Sequence, residues 1–361
     1  MVDLHLQYQT LKSEIQPALN SALESTAFIM GPNVHAFEDE VSSYLNINHS
    51  VSCASGTDAL HLALSALGIG PGDEVITPSF TFAATAEAIR YVNATPVFVD
   101  IDKTTLNIDP KCIQQAITNK TRAIIAVHLF GLPADLDAIK SVIADRDIYL
   151  VEDCAQSFGA KYKKKMTGTV GDIGCYSFFP SKNLGCYGDG GLVCTANDEI
   201  SEKLKLLRNH GSPKRYEHTI IGYNSRLDEI QAAILRIKLK YIDEYNSRRH
   251  ENAGKSSEAL NKLGLSTPQE NDESNHVYHQ YTITSIDRDN ISTSLNNESI
   301  ASAIYYPKGL HQQSAFTENA SQPTLPVTEL ISSQCLSLPM YPELSSTQIS
   351  RIINTIQKLI K

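Results

Sequence analysis

Hydrophobic residues follow two different spacings along the chain. Between residues 10 and 26 they recur at helical spacing, and Gly31 and Pro32 interrupt the chain before a second helical pattern over 34–45. Short, nearly continuous apolar runs then alternate with helical patterns for about a hundred residues. Such runs predict strands covered on both faces, because a half-exposed strand would alternate apolar and polar residues. The chain is therefore predicted to form an α/β domain with a mostly parallel mixed sheet.

The individual elements follow from these runs and from the turn residues between them. Strands are expected over 74–78, 96–100, 121–130, 147–153 and 190–195, and helices over 83–91, 110–117, 136–144 and 199–208. A polar turn near residue 222 precedes a long amphipathic helix that is expected to continue to about residue 248.

Polar, loop-rich stretches beyond residue 250 predict a domain boundary. We expect a large domain over 1–248, whose N-terminal segment packs on the small domain, and a smaller α+β domain over 249–361. Within the small domain, strands are expected over 279–285 and 300–306 and a helix over 345–359.

Composition narrows the class of protein. The chain has 361 residues, of which 42% are hydrophobic and 20% charged, as in soluble globular proteins of more than one domain. Its net charge of -9 argues against a nucleic-acid partner, which would require a clustered basic face. The short basic cluster at 161–165 is interpreted as a solvated hairpin rather than a phosphate site.

Cysteine usage and the N-terminus predict the compartment. The seven cysteines are scattered and lack the paired spacing of metal or disulfide frameworks, so no metal is expected and a reducing cytosol fits best. The N-terminal residues lack a signal-peptide pattern, and no apolar run approaches the roughly 18 residues of a membrane span. We therefore expect a cytoplasmic protein without a membrane partner.

The stretch over 177–191, S-F-F-P-S-K-N-L-G-C-Y-G-D-G-G, contains one lysine, Lys182. Aromatic, glycine, serine and proline residues surround it, and the nearest acidic residue is Asp189. A lysine that follows an apolar run and precedes a glycine-rich segment projects from a strand end into a loop that a ligand can approach. We predict that Lys182 forms a Schiff base.

Other candidate residues lie where predicted strands end. Ser55-Gly56-Thr57 opens a helix whose free amides could bind an anion, although a simple N-cap explains the same residues about equally well. Phe82, Asp153 and Gln156 follow strands, where ligands bind in α/β folds. For His128, a structural polar contact and a ligand role are equally plausible.

Together these residues match the needs of pyridoxal phosphate. That cofactor requires a Schiff-base lysine, a carboxylate that keeps the pyridine nitrogen protonated, an aromatic ring for stacking and helix-start amides for its phosphate. Each feature alone is weak, but their combination favours a cofactor site over separate structural roles.

The sequence resembles a known family, the fold-type I pyridoxal-phosphate sugar aminotransferases of the DegT/DnrJ/EryC1/StrS type. The resemblance extends over nearly the whole chain, from residue 28 to residue 342. Its most specific motifs are A-S-G-T-D-A-L, G-D-E-V-I-T-P-S-F-T-F-A-A-T, V-E-D-C-A-Q-S-F-G-A, the Lys182 stretch and Y-N-S-R-L-D-E-I-Q-A-A-I-L.

The resemblance implies a role for each matching residue. Lys182 would carry the cofactor as an internal aldimine and shuttle protons, and Asp153 would pair with the pyridine nitrogen. The remaining cofactor contacts would be Phe82 on the ring, Gln156 on its hydroxyl side, and Gly56, Thr57 and Ser177 on the phosphate. Asn224 would reach the phosphate bound by a neighbouring subunit, with Arg226 beside it, which implies a homodimer with shared active sites.

The Lys182 stretch is similar to that of relatives that aminate C3 of the sugar. The chain resembles in particular the subgroup that converts UDP-2-acetamido-2-deoxy-3-oxo-D-glucuronate to the 3-amino sugar with L-glutamate, for surface polysaccharides such as O-antigen. Arg226 would then pair with the C6 carboxylate, and Tyr305 and Tyr306 would contact the substrate. Tyr305-Tyr306-Pro307 departs from the subgroup's expected H-Y-P, and His279 replaces a commoner small residue.

Three alternatives follow from the same resemblance. The substrate could be a dTDP-linked 3-keto-6-deoxyhexose, which lacks a carboxylate for Arg226, or a 4-keto sugar. Outside catalysis, some relatives are described as sensors or regulators. The presence of Lys182 disfavours the dehydratases of this fold that lack the lysine.

Overall fold

A sheet of seven strands forms the centre of the larger part of the molecule. The structure is a computed structural model that describes residues 1–270, 273–317 and 323–360. In chain order the strands are β1 (His49–Cys53), β2 (Glu74–Pro78), β3 (Thr95–Val99), β4 (Thr121–Val127), β5 (Tyr149–Asp153), β6 (Lys161–Tyr162), β7 (Lys165–Met166), β8 (Ile173–Ser177), β9 (Gly191–Thr195), β10 (Ser274–Asn275), β11 (Tyr281–Thr284) and β12 (Cys335–Leu338).

The order of the central sheet is β1-β9-β8-β5-β4-β2-β3. Strands β8, β5, β4, β2 and β3 are parallel, whereas β9 pairs antiparallel with both β1 and β8. The predicted mostly parallel mixed sheet is therefore confirmed. Val127 pairs with Asp153, and Asp153 with Cys175, so the carboxyl ends of β4, β5 and β8 form one edge of the sheet.

Helices surround the sheet and continue into the C-terminal part. They are α1 (Leu4–Ser25), α2 (Pro32–Leu45), α3 (Gly56–Ala66), α4 (Ala84–Tyr91), α5 (Pro110–Ala116), α6 (Leu136–Ile143), α7 (Asp198–Leu207), α8 (Glu229–Leu239), α9 (Ile242–Asn261), α10 (Arg288–Asn297), α11 (Pro326–Gln334) and α12 (Ser346–Ile360). No helix in the described ranges has the length and apolar character that crossing a membrane requires.

Both faces of the sheet are buried, as the apolar strands predict. On one face α3, α4 and α7 pack through residues such as Leu64, Ile89 and Leu204. On the other face, Phe37 of α2 packs near β9, and Ile139 of α6 packs near β4. The carboxyl edge of the sheet is thus held between two helical layers.

The C-terminal part contains the antiparallel pair β11–β12 with α10 and α12 packed against it. The first residues of the chain lie beside it, since the Met340 amide donates to the Met1 carbonyl at 3.3 Å. The boundary predicted after residue 248 falls inside α9 and remains a prediction.

The helix expected to end near residue 248 differs from the observed one. The helical pattern is interrupted between α8, which ends at Leu239, and α9, which begins at Ile242. Helix α9 then extends to Asn261, through residues that were expected to form a loop. Asn252 and Ser256 of that stretch are buried, whereas Glu251, Lys255 and Glu258 face solvent. Asn252 Nδ2 donates to the carbonyls of Tyr341 and Leu344 at 3.3 and 3.2 Å, while Ala253 and Leu260 pack in the core.

Two predicted strands also differ from the structure. The strand expected over 121–130 ends at Val127, and a 3-10 turn follows over Leu129–Gly131. The strand expected over 300–306 is reduced to a single bridge between Ala303 and Ser337. The backbone beyond this bridge instead carries Tyr305 and Tyr306 towards the core cluster at the central sheet.

Candidate active site

Lys182 lies in the loop that follows β8, at the carboxyl edge of the sheet. Its amide donates to the Phe179 carbonyl at 2.8 Å, which fixes the turn, and its side chain is partly buried. Within the described part of the chain, its amine makes no hydrogen bond or ion pair. Burial lowers the pKa of Lys182 to about 8, although the Asp153 charge acts in the opposite direction. A substantial neutral fraction near pH 8 makes this amine a competent nucleophile.

Asp153 is the last residue of β5 and is buried. Its Oδ2 accepts a hydrogen bond from Thr85 Oγ1 at 2.9 Å, and its Oδ1 accepts one from the Ala155 amide at 3.1 Å. Burial raises the pKa of Asp153, and these hydrogen bonds together with the charges of Lys182 and His128 oppose that rise. The carboxylate therefore has fixed donors on both oxygens.

Phe82 precedes α4 and exposes an aromatic face at the same edge. Its side chain is 58% exposed, and its ring centroid lies 6.4 Å from that of Tyr306. Tyr306 in turn packs edge-on against Phe80, with ring centroids 5.9 Å apart. An exposed phenyl ring supported from behind is suited to stacking on a planar ligand.

The start of α3 lies directly against the end of β8. Ser55 is the N-cap, since its Oγ accepts a hydrogen bond from the Asp58 amide at 3.1 Å, so the simple capping interpretation holds for this residue. A Cβ added to Gly56 would approach Ser177 Cβ to 2.5 Å, so only glycine leaves space there. Gly56, Thr57 and Ser177 are thus brought together where the helix start offers amides to an anion.

The Gln156 side chain is already engaged by protein groups. Its Oε1 accepts from the Phe130 amide at 2.6 Å, and its Nε2 donates to Tyr306 Oη at 3.2 Å. This amide therefore connects β5 to the C-terminal segment that carries Tyr306.

His128 has a structural role. Its Nδ1 accepts from the Ala134 amide at 3.0 Å, and its Nε2 lies 2.9 Å from Glu152 Oε2. Glu152 also accepts from the amides of Gly168, Val170 and Gly171. Burial favours a higher pKa for Glu152, but the hydrogen bonds and the histidine lower it overall. Although a Cys154 thiol completes a group of metal-ligand type with these two residues, both carboxylate oxygens are occupied by other donors.

Among the described residues, Asn224 and Arg226 form no hydrogen bond with Lys182 or Asp153. Arg226 Nη2 donates to Asn224 Oδ1 at 2.5 Å and Nη1 to Asn209 Oδ1 at 3.2 Å, while the buried Nε has no partner among the described residues. Between them, Ser225 Oγ donates to Asp58 Oδ2 at 2.5 Å. The segment therefore touches the first turn of α3 through Ser225.

Sequence patterns did not identify two sets of supporting residues. Thr85, which donates a hydrogen bond to Asp153, lies in one of the motifs quoted above, three residues after Phe82. Nothing in the local sequence indicated that its hydroxyl would contact the aspartate. Behind Lys182, Asn183 Nδ2 donates to Asn246 Oδ1 at 2.8 Å, and Asn183 Oδ1 lies 3.3 Å from His279 Nδ1. Burial and the Lys182 charge hold the pKa of His279 well below its ordinary value, so the residue is neutral.

A comparison with protein families gives a match over most of the chain. The model of the DegT/DnrJ/EryC1/StrS aminotransferase family matches residues 9–357. The UDP-N-acetyl-3-dehydro-alpha-D-glucosamine 3-aminotransferase of Acidithiobacillus ferrooxidans is 49% identical, with 100% of this chain and 97% of the relative covered. The UDP-2-acetamido-2-deoxy-3-oxo-D-glucuronate aminotransferase of Pseudomonas aeruginosa is 41% identical, with 97% of each chain covered.

Further similarity extends to dTDP-sugar enzymes and to solved structures. The dTDP-3-amino-3,4,6-trideoxy-alpha-D-glucose transaminase of Streptomyces venezuelae is 40% identical, covering 99% of this chain and 95% of the relative. The crystal structure of DesV from S. venezuelae, in complex with a ketimine intermediate, superposes with a TM-score of 0.97 at 40% identity, covering 99% and 97% of the two chains. NtdA from Bacillus subtilis, solved with bound cofactor PMP, gives a TM-score of 0.91 at 32% identity, covering 96% and 81%.

Proposed function

We propose, because the chain belongs to the DegT/DnrJ/EryC1/StrS aminotransferase family, that it transfers the amino group of L-glutamate to C3 of a UDP-linked 2-acetamido-3-keto sugar. It is an aminotransferase of nucleotide-linked keto sugars, and enzymes of this family depend on pyridoxal phosphate. The observation that carries the proposal is the unpaired, partly neutral Lys182 amine at the same sheet edge as the hydrogen-bonded Asp153 carboxylate.

The residues present fit the cofactor. Gly56 packs so closely on Ser177 that an added Cβ would lie 2.5 Å from Ser177 Cβ, which brings the Ser177 hydroxyl beside the start of α3. A phosphate at this helix start would meet the first amides of α3 and the hydroxyls of Thr57 and Ser177. The exposed ring of Phe82 would stack on the cofactor ring, and Gln156, which also bonds to Phe130 and Tyr306, would lie on its hydroxyl side. When bound, the cofactor supplies an electron sink for the bond changes at the amino carbon.

The protein groups then supply binding and proton transfer. Asp153 would pair with the pyridine nitrogen, and the donors on both of its oxygens favour its charged form against the burial that raises its pKa. The Lys182 amine takes the proton from Cα of glutamate in the first half-reaction. In the second half-reaction it delivers a proton to C3 of the sugar. The order of substrates would be ping-pong, because 2-oxoglutarate would leave before the keto sugar binds in the same site, with the amino group retained on the bound cofactor.

The UDP-linked 2-acetamido-3-keto class is favoured because two relatives, which cover 100% and 97% of the chain, are named for such substrates. Those two substrates differ at C6, where the Pseudomonas enzyme's name specifies a glucuronate and the Acidithiobacillus enzyme's name a glucosamine. For this chain we propose the uronate, with the half-buried Arg226 as the cation that would pair with the C6 carboxylate. Tyr305 and Tyr306, beside Phe82, would border the sugar.

A substrate panel tests this assignment. The wild type should convert UDP-2-acetamido-2-deoxy-3-oxo-glucuronate faster than its C6-hydroxymethyl counterpart and faster than dTDP-linked 3-keto and 4-keto sugars, as measured by mass detection of the amino product. Loss of the charge pair in Arg226→Ala should reduce kcat/KM for the uronate by roughly 10- to 100-fold and leave the C6-hydroxymethyl substrate nearly unchanged. Equal effects of Arg226→Ala on both substrates would refute the proposed contact between Arg226 and the C6 carboxylate. Faster turnover of a dTDP-linked sugar would refute the assignment of UDP as the nucleotide.

We further propose a homodimer in which Asn224 and Arg226 complete the partner's site. Several apolar side chains near these residues and near Lys182 are exposed in the single chain, with Ile221 90%, Tyr216 81% and Phe179 52% exposed. Patches of this kind mark protein interfaces. Asn224 is itself exposed and forms no hydrogen bond with Lys182 among the described residues. Its side chain is therefore accessible to a partner subunit.

Mixed dimers test the shared site. Lys182→Ala and Asn224→Asp should each be nearly inactive, since the first lacks the amine and the second places a negative charge beside a phosphate. After unfolding and refolding together, hybrids containing one intact site should restore roughly a quarter of the wild-type activity. Activity no higher than that of the separate variants, or a monomeric mass in solution, would contradict the shared arrangement.

A further inference from the structure

The Thr85 hydroxyl is committed to the Asp153 carboxylate. Thr85 is 1% exposed, and its Oγ1 lies 2.9 Å from Asp153 Oδ2. An ionised carboxylate can only accept hydrogen bonds, so the hydroxyl must donate. Because the Ala155 amide holds the other oxygen at 3.1 Å, the two donors together fix the plane of the carboxylate.

A second hydroxyl orients the first. Thr81 Oγ1 lies 3.2 Å from Thr85 Oγ1, and Thr81 is 2% exposed. The single proton of Thr85 points to Asp153, so Thr81 acts as the donor in this pair. The two hydroxyls form a chain of donors that ends on the carboxylate, and such chains strengthen each member in a water-free interior.

Thr85 also connects the carboxylate to the aromatic face. Its backbone amide donates to the Phe82 carbonyl at 3.2 Å, in the first turn of α4. The main chain of Thr85 therefore holds the residue with the exposed ring, while its side chain holds the carboxylate. Thr85 therefore helps to set the position of the Phe82 ring relative to the Asp153 carboxylate.

We propose that Thr85 is a positioning residue of the cofactor site, whose hydroxyl holds the Asp153 carboxylate in one orientation and in its charged form. This proposal deepens the proposed function and rests on the assignment of Asp153 to the pyridine nitrogen. Thr85 itself touches neither substrate nor cofactor and acts through Asp153.

The electrostatic surroundings give the expected direction of a pH effect. The charges of Lys182 and His128 act on Asp153, and the Asp153 charge in turn raises the pKa values of the neighbouring titratable groups Cys154, Cys175 and Tyr306. Burial raises the pKa of Asp153, and the Thr85 hydrogen bond is one of the contacts that oppose this rise. Removing the hydroxyl should raise the pKa of Asp153 further, so the carboxylate loses its charge at a higher pH as the solution is acidified.

The test compares Thr85→Val, which keeps the shape without the hydroxyl, with Thr85→Ser, which keeps the hydroxyl. The dissociation constant of pyridoxal phosphate is measured by equilibrium dialysis across pH, and the acid limb of kcat/KM is recorded on the same proteins. Thr85→Val should weaken cofactor binding by about tenfold, the effect of one hydrogen bond to a charged group, and move both acid midpoints to higher pH. Thr85→Ser should stay within about twofold of the wild type, since its hydroxyl can still donate.

Two outcomes overturn the proposal: equal behaviour of the Val and Ser variants, or an acid midpoint that Thr85→Val leaves unchanged. Should Thr85→Val not fold, Thr85→Ala replaces it with the same expectations. Asp153→Asn in the same dialysis experiment distinguishes a failure of the Asp153 assignment from a failure of the role proposed for Thr85. If Asp153→Asn binds the cofactor as the wild type does at every pH, the assignment of Asp153 fails. If it weakens binding while Thr85→Val does not, only the role of Thr85 fails.

Discussion

Lys182→Ala is expected to abolish transamination while leaving the fold intact. The variant removes an amine that makes no hydrogen bond or ion pair with the described residues, so its loss breaks no contact in the protein. It also removes the group proposed to bind the cofactor covalently and to move protons, and the rate should fall by at least about 10³-fold. Purified protein should lack the absorbance band of a lysine-bound cofactor.

The matched control is Lys164→Ala, which removes an exposed lysine of the β6–β7 hairpin. It should retain the absorbance band, the melting temperature and the activity of the wild type. Normal turnover in Lys182→Ala would refute the proposed role of this lysine. A large drop in its melting temperature would instead indicate a structural role.

The second large effect is expected from Asp153→Asn. The substitution keeps the size of the side chain but removes the negative charge that would hold a proton on the pyridine nitrogen. In addition, one of the two donors that face Asp153, Thr85 Oγ1 or the Ala155 amide, would then meet an amide nitrogen. Both half-reactions should slow by at least about 100-fold, the magnitude seen when a preorganised electrostatic contact is lost.

Single-turnover rates with glutamate and with the keto sugar measure this effect separately from product release. Asp145→Asn, at an exposed aspartate, provides the control and should leave both rates unchanged. An Asp153→Asn variant that slowed only one half-reaction would be incompatible with a role on the shared cofactor. Unchanged rates in both would place the electron-sink partner elsewhere.

Much of the fold could be predicted because the parallel strands are buried on both faces. Their continuous apolar runs, as in β4 and β5, leave few alternatives to a covered sheet. The C-terminal part was less predictable since its contacts are made by polar side chains over long sequence separations. Asn252 on α9 binds carbonyls near residue 341, and no local pattern distinguishes such a buried asparagine from a loop residue.

The candidate site was predictable to the extent that its residues lie at strand ends or helix starts. Lys182, Asp153 and Phe82 were found in this way and lie at the same sheet edge. The Ser55 cap was also expected as an alternative, and it coexists with the close packing of Gly56 on Ser177. Thr85 could not be identified, because its importance depends on a hydrogen bond across 68 residues of sequence.

Nitrogen transfer from isotopically labelled glutamate is the most direct test of the central claim. Wild-type protein loaded with pyridoxal phosphate is incubated with [¹⁵N]glutamate and UDP-2-acetamido-2-deoxy-3-oxo-glucuronate, and the sugar nucleotide is analysed by mass spectrometry and NMR. We predict that ¹⁵N appears at C3 of the sugar with one 2-oxoglutarate formed for each amino sugar, and that Lys182→Ala gives neither product. A wild-type enzyme that releases 2-oxoglutarate with none of the keto sugars tested, or that leaves ¹⁵N absent from the sugar, would contradict it.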